Sequence, residues 1–106
     1  MMEIGKLYLF NQYYWILFPY DNKPPTKVIS LMTILRVSDV LEAEKYSYFF
    51  SEFFKCNVSF TVPSSLFMLL EQDGNFYKIL SADEQIGWIY LDNEWMKDIE
   101  EAYGSR

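Results

Sequence analysis

Side chains that could do chemistry are few in this sequence, and histidine, the one best suited to proton transfer near neutral pH, is missing altogether. Its absence also removes the usual nitrogen ligand for zinc and related metals. Cys56 is the single cysteine and so the only candidate thiol nucleophile. With no imidazole to draw off its proton, and with a place in the apolar set of its strand, it reads as a small core residue. The carboxylate pairs Asp83-Glu84 and Glu100-Glu101 carry the right groups for acid–base work. Nothing in the sequence sets them in an apolar cleft that would push their pKa values apart, so they read as solvated turn and helix faces. The acidic residues near the C-terminus lack the spacing of a calcium loop, and Gly5, Gly74, Gly87 and Gly104 are too isolated to cradle a phosphate. No catalytic residue, metal or cofactor is expected.

Aromatic residues are the one resource in excess, at 20% of the chain. Each ring carries roughly 150–250 Å² of surface, more in sum than a domain of this size hides, so some rings are expected to face a groove or a partner. Tyr13, Tyr14 and Trp15 are consecutive, and strand alternation sends Tyr14 to the face opposite the other two. Two readings follow. In one, an inserted segment covers both sheet faces; in the other, Tyr14, Phe76, Tyr77, Trp88 and Tyr90 line a ligand-binding groove.

The elements that must position these rings are mostly strands. Lys6 to Phe10 and Tyr13 to Phe18 are aromatic and β-branched runs around Asn11-Gln12, which predicts a β-hairpin. Pro19 and the stretch from Tyr20 to Pro25 predict a surface loop. Val28 to Val37 fits a strand buried on both faces or a short buried helix, and its β-branched content favours the strand. Ser38 to Phe54 stays open between helix and strand. Val40, Ala43, Tyr46, Phe50 and Phe53 lie at helical spacing, while Tyr46, Tyr48 and Phe50 also alternate. Phe54, Cys56, Val58, Phe60 and Val62 alternate with polar residues as in a half-buried strand. Leu66 to Glu71, Asn75 to Leu80 and Gln85 to Leu91, parted by Asp73-Gly74 and by Ala82-Asp83-Glu84, predict a β-meander. Trp95, Ile99 and Tyr103, with Met96, form an apolar stripe that predicts a helix from about Asp92 to Tyr103, capped by Asp92 or Asn93 and stopped by Gly104.

The meander carries a pattern: Leu70-Glu71, the turn Asp73-Gly74, the paired rings and lysine Phe76-Tyr77-Lys78, and Ile86-Gly87-Trp88-Ile89. This run, Phe67 to Leu91, resembles the final three strands of bacterial SH3-type barrels. The resemblance covers about a quarter of the chain. It implies a mainly β fold, a small SH3-like barrel with a long inserted segment and a short C-terminal α-helix, in a single domain spanning residues 1–106. In the eukaryotic branch of that fold a proline-rich peptide lies on rings from the first strand, the paired aromatics and a Pro-x-x-Tyr element. Here Tyr90-Leu91-Asp92 stands in place of that element and a longer insertion replaces the acidic loop, so the resemblance does not extend to proline-peptide binding. The chain is also similar in outline to small proteins of tailed phages.

Together these readings predict a non-catalytic interaction module, with a phage accessory or host-interaction protein as its setting. The alternative is a structural subunit, a homo-oligomer that self-associates through exposed aromatic surface. A net charge of −6 and lysines scattered singly speak against nucleic acid and for a basic protein or peptide partner. The longest apolar run, Tyr13 to Tyr20, is far short of the about 20 residues that a membrane-spanning helix needs. The first residues lack the basic head and apolar stretch of a secretory signal, and the cytoplasm is the expected location.

Overall fold

The computed structural model describes residues 2–102, apart from the side chain of Met32. Within them lie eight strands: β1 (Leu7–Phe10), β2 (Tyr14–Pro19), β3 (Arg36–Val37), β4 (Ser59–Thr61), β5 (Leu66–Asp73), β6 (Phe76–Ser81), β7 (Ile86–Tyr90) and β8 (Ile99–Glu101). One α-helix, α1 (Val40–Phe54), and two 3-10 segments, Thr26–Ile34 and Trp95–Asp98, complete the described elements. The strands form a curled antiparallel sheet in the order β3-β2-β7-β6-β5-β1-β8, with β4 added on β2. The fold is mainly β.

The meander is the part that alternation and turn chemistry dictate most directly. β5, β6 and β7 pair consecutively, with Asp73 opposite Phe76 across the Asp-Gly turn. Gly74 takes the positive φ of 63° that this turn requires. A bulge between Leu69 and Glu71 shifts the register of β5 and helps the sheet to curl.

The expected hairpin between the first two strands does not form. β1 pairs with β5 and β8, while β2 pairs with β3, β4 and β7. Asn-Gln is a poor two-residue turn because both positions would need positive φ. The chain instead turns a corner, with Tyr13 at φ 94°. The backbone groups there find distant partners: Asn11 N–H donates to the Asp98 carbonyl (2.9 Å) and Ser64 N–H to the Phe10 carbonyl (2.8 Å).

The strand expected over Val28 to Val37 is instead the 3-10 segment Thr26–Ile34 followed by the two residues of β3. Pro24-Pro25 sets the entry, and Val28 N–H donates to the Pro25 carbonyl at 2.9 Å. The open segment resolves as helix. Asp39 caps it, its Oδ1 accepting from Leu41 N–H at 3.2 Å, and Lys55 closes it in the left-handed conformation at φ 56°. Helix α1 therefore takes Phe54 from the strand expected to start there. Ser51 fixes the exit, its Oγ accepting from Val58 N–H at 2.9 Å and donating to the Val58 carbonyl at 3.2 Å. Val58 is buried and Phe60 packs on the core as the alternation expects, but at the end of what remains of that strand, β4, the phase is lost: Thr61 faces inward beside Trp15 and Val62 is exposed.

The expected C-terminal helix is also corrected. Asp92 does cap, with Oδ1 accepting from Trp95 N–H at 2.8 Å, but the turn it starts ends at Asp98. β8 then runs along the free edge of β1, whose unpaired backbone groups offer a ladder that a helix would forgo. Tyr103 and Gly104, the expected end of that helix, lie outside the described residues.

Two ring clusters form the core. One runs Tyr8, Phe67, Phe10, Trp15, Trp95, Tyr90 and Phe76, each ring 4.3–5.8 Å from the next. The other joins Phe18 of β2 to Phe50 and Phe54 of α1 at 5.2 and 5.9 Å. Helix α1 thus packs its Ala43, Ser47 and Phe50 stripe on the sheet.

Candidate functional site

Of the five rings expected to line a groove, Phe76, Tyr77, Trp88 and Tyr90 are buried, and Tyr14 is half-buried against the Phe60 ring at 5.9 Å. The groove is filled. Trp88 lies under the loop after β2: its Nε1 donates to the Tyr20 carbonyl at 3.2 Å, and the Lys78 ammonium stands 3.9 Å from the Tyr20 ring above it. An ion pair of Lys23 with Asp73 pins the same loop to the meander. Tyr77 keeps its hydroxyl paired with Gln72 Nε2 at 3.1 Å.

Burial pushes the Tyr77 phenol up. Tyr90 is pushed up as well, first by burial and then by the Asp92 carboxylate, while a hydrogen bond with Asn75 pulls the other way. Folded protein therefore holds two protons that the unfolded chain gives up near pH 10. That stabilisation is complete below about pH 10 and is lost as pH climbs through the folded values. Melting temperature is expected to fall above about pH 10. The fall is expected to be shallower in Tyr77→Phe and Tyr90→Phe; a fall as steep as the wild type's in both variants would contradict it.

Two surface features bear on function. The first is a cleft of about 440 Å³ whose wall includes Tyr13, Arg36, Glu42 and Trp95. Its one deep cation is already engaged. Arg36 pairs with buried Asp98, and its guanidinium carbon lies 4.1 Å from the Tyr13 ring, 4.3 Å from Trp95 and 5.5 Å from Trp15. An arginine held in a carboxylate and three rings closes a core; it has little left for a ligand. Cys56 sits half-buried just past α1, where burial pushes its thiol pKa up, away from the reactive thiolate.

The second feature is the outward side of α1. Leu41, Tyr48 and Phe53 are 70%, 68% and 63% exposed, and Val40 and Phe49 are exposed beside them. Phe49 and Phe53 stack on each other at 6.1 Å and form one wall of a groove of about 230 Å³. The facing wall is Val28 and Leu31 of the 3-10 segment, and Phe50 and Phe54 form the buried side. The aromatic surplus emerges here and not on the meander. Helical spacing had Val40 and Phe53 facing inward, but the cap at Asp39 and the burial of Ala43, Ser47 and Phe50 turn the helix so that both face out. The doublets Phe49-Phe50 and Phe53-Phe54 were the available signal, since adjacent helical residues point about 100° apart and a narrow buried stripe leaves one ring of each pair at its edge or beyond.

Comparison with protein-family models, curated proteins and solved structures finds no match. The surface chemistry alone must therefore carry the functional reading. Among the described residues no helix is long and apolar enough to cross a membrane.

Proposed function

We propose that this chain is a non-catalytic protein-interaction domain whose contact surface is the outward face of α1 with the groove beside it. One observation carries the reading: five large apolar side chains, Val40, Leu41, Tyr48, Phe49 and Phe53, stand exposed on a single helix of 15 residues. A helix with one buried stripe normally turns charged and polar residues to solvent, and exposed apolar surface in this amount beside a groove is the mark of a docking surface. The curled sheet, with its β5-β6-β7 meander and Gly87-Trp88 pair, supports reading the scaffold as an SH3-type barrel modified by the inserted α1. Its binding face has moved from the sheet to the insertion.

Charge refines the reading. Although the chain is acidic overall, α1 carries Lys45 as well as Glu42, Glu44 and Glu52, with Lys55 at its end. This face does not select for a basic partner as the whole-chain charge suggested.

Affinity capture from the source cells, run in parallel on wild type, Phe53→Ser and Tyr14→Ala, tests the surface. Phe53 is largely exposed, so its replacement is expected to leave melting nearly unchanged. Capture by Phe53→Ser is expected to fail while Tyr14→Ala behaves as wild type. Full capture by Phe53→Ser would contradict the proposal.

A further inference from the structure

The groove and helix face described above could take many apolar occupants, but the order of charges on α1 narrows the choice. Leu41, Lys45, Tyr48 and Glu52 follow one another at spacings of four, three and four, the rhythm of a seam between paired helices. All four are exposed. Lys45 and Glu52 lie about 10 Å apart along the helix, too far to pair with each other. Neither takes part in any of the ion pairs among the described residues; the Lys45 ammonium only approaches the Tyr46 ring at 5.4 Å. Two opposite charges thus alternate with Leu41 and Tyr48 on this exposed row, and neither has an ion-pair partner among the described residues.

We infer that the occupant of this face is a second copy of the chain, its α1 laid antiparallel to the first about a two-fold axis beside Tyr48 and Phe49. The inference rests on the reading of α1 as the contact surface. In that arrangement Lys45 of each copy meets Glu52 of the other, so the one orientation satisfies both charges twice. A parallel arrangement sets Lys45 against Lys45 and Glu52 against Glu52, which opposes it. Tyr48 meets its own counterpart near the axis, and Phe49 and Phe53 pack along one flank. Because the contact is isologous it closes at two copies, and no filament follows. A helix of 15 residues is only about 22 Å long, so the dimer is expected to depend on concentration.

Sedimentation equilibrium on the full chain tests this with charge reversals at exposed positions. Wild type is expected to pass from monomer to dimer as concentration rises. Lys45→Glu and Glu52→Lys are each expected to weaken association at least about tenfold, because each sets like charges across the seam twice. An equimolar mixture of the two variants is expected to regain wild-type association, since the heterodimer restores both opposite-charge pairs. Circular dichroism of each variant confirms that α1 is intact. A wild type that stays monomeric throughout, or a mixture that associates no better than its components, would overturn the inference. If that happens while Phe53→Ser still loses capture of other proteins, the contact face stands and only the second copy falls. A dimer indifferent to Lys45, Glu52 and Phe53 would overturn both.

Discussion

Gly87→Ala is expected to destabilise the domain by about 3 kcal/mol or more, the upper end of what overpacking a core costs. Gly87 lies in β7 opposite Pro19, where β2 crosses onto the meander. A Cβ there would stand 2.3 Å from the Phe18 carbonyl oxygen and 2.9 Å from two side-chain carbons of Leu17. The leucine could swing away; the carbonyl cannot move without parting β2 from β7. Since a domain of this size holds only about 5–15 kcal/mol in total, a loss of that size lowers the melting temperature by more than about 10 °C. Gly74→Ala is the internal comparison. It meets open space, and its cost, about 1–2 kcal/mol, comes only from the positive φ of 63°. Thermal melts of the two variants check the ranking, and a Gly87→Ala protein as stable as Gly74→Ala would contradict it.

Arg36→Ala is expected to cost about 3–5 kcal/mol, because it leaves Asp98 buried without its counter-charge. The side chains of Arg36 and Asp98 are only 16% and 9% exposed, so water cannot replace the lost partner. The pair also joins distant parts of the chain. Arg36 is in β3 at one end of the sheet order, and Asp98 immediately precedes β8 at the other, while its carbonyl receives Asn11 N–H at the corner between β1 and β2. Arg36→Lys is expected to recover only part of the loss, since an ammonium cannot lie flat between the rings of Tyr13 and Trp95. In urea denaturation, the Arg36→Leu/Asp98→Leu double variant is expected to be more stable than either single variant predicts by addition. Strict additivity would show that the two side chains are not coupled.

The sequence made the meander readable because three of its features agree. Period-two alternation, the Asp-Gly turn and the Gly-Trp strand all demand the same local structure. Elsewhere the deciding forces were distant. Asn11-Gln12 looked like a hairpin turn, but the partners of β1 are β5 and β8, and no local pattern names them. Trp95, Ile99 and Tyr103 have helical spacing, yet an open strand edge and the Arg36–Asp98 pair draw that segment into a 3-10 turn and a strand. Most of the rings expected to line a groove are buried for the same reason. The loop after β2 covers Trp88, and the ring contact with Trp95 encloses Tyr90. The face proposed for binding is present in the sequence as Phe49-Phe50 and Phe53-Phe54. Its phase depended on a capping aspartate in a segment that could equally be written as a strand.

Nuclear magnetic resonance on the folded chain, recorded as a dilution series of amide spectra, tests the central claim that α1 presents the working surface. The predicted result is a set of concentration-dependent shifts at Leu41, Lys45, Tyr48, Phe49, Glu52 and Phe53, with Leu31 across the groove moving less and the meander from Leu66 to Tyr90 unmoved. Shifts gathered instead around Tyr13, Arg36 and Trp95, with α1 silent, would contradict it.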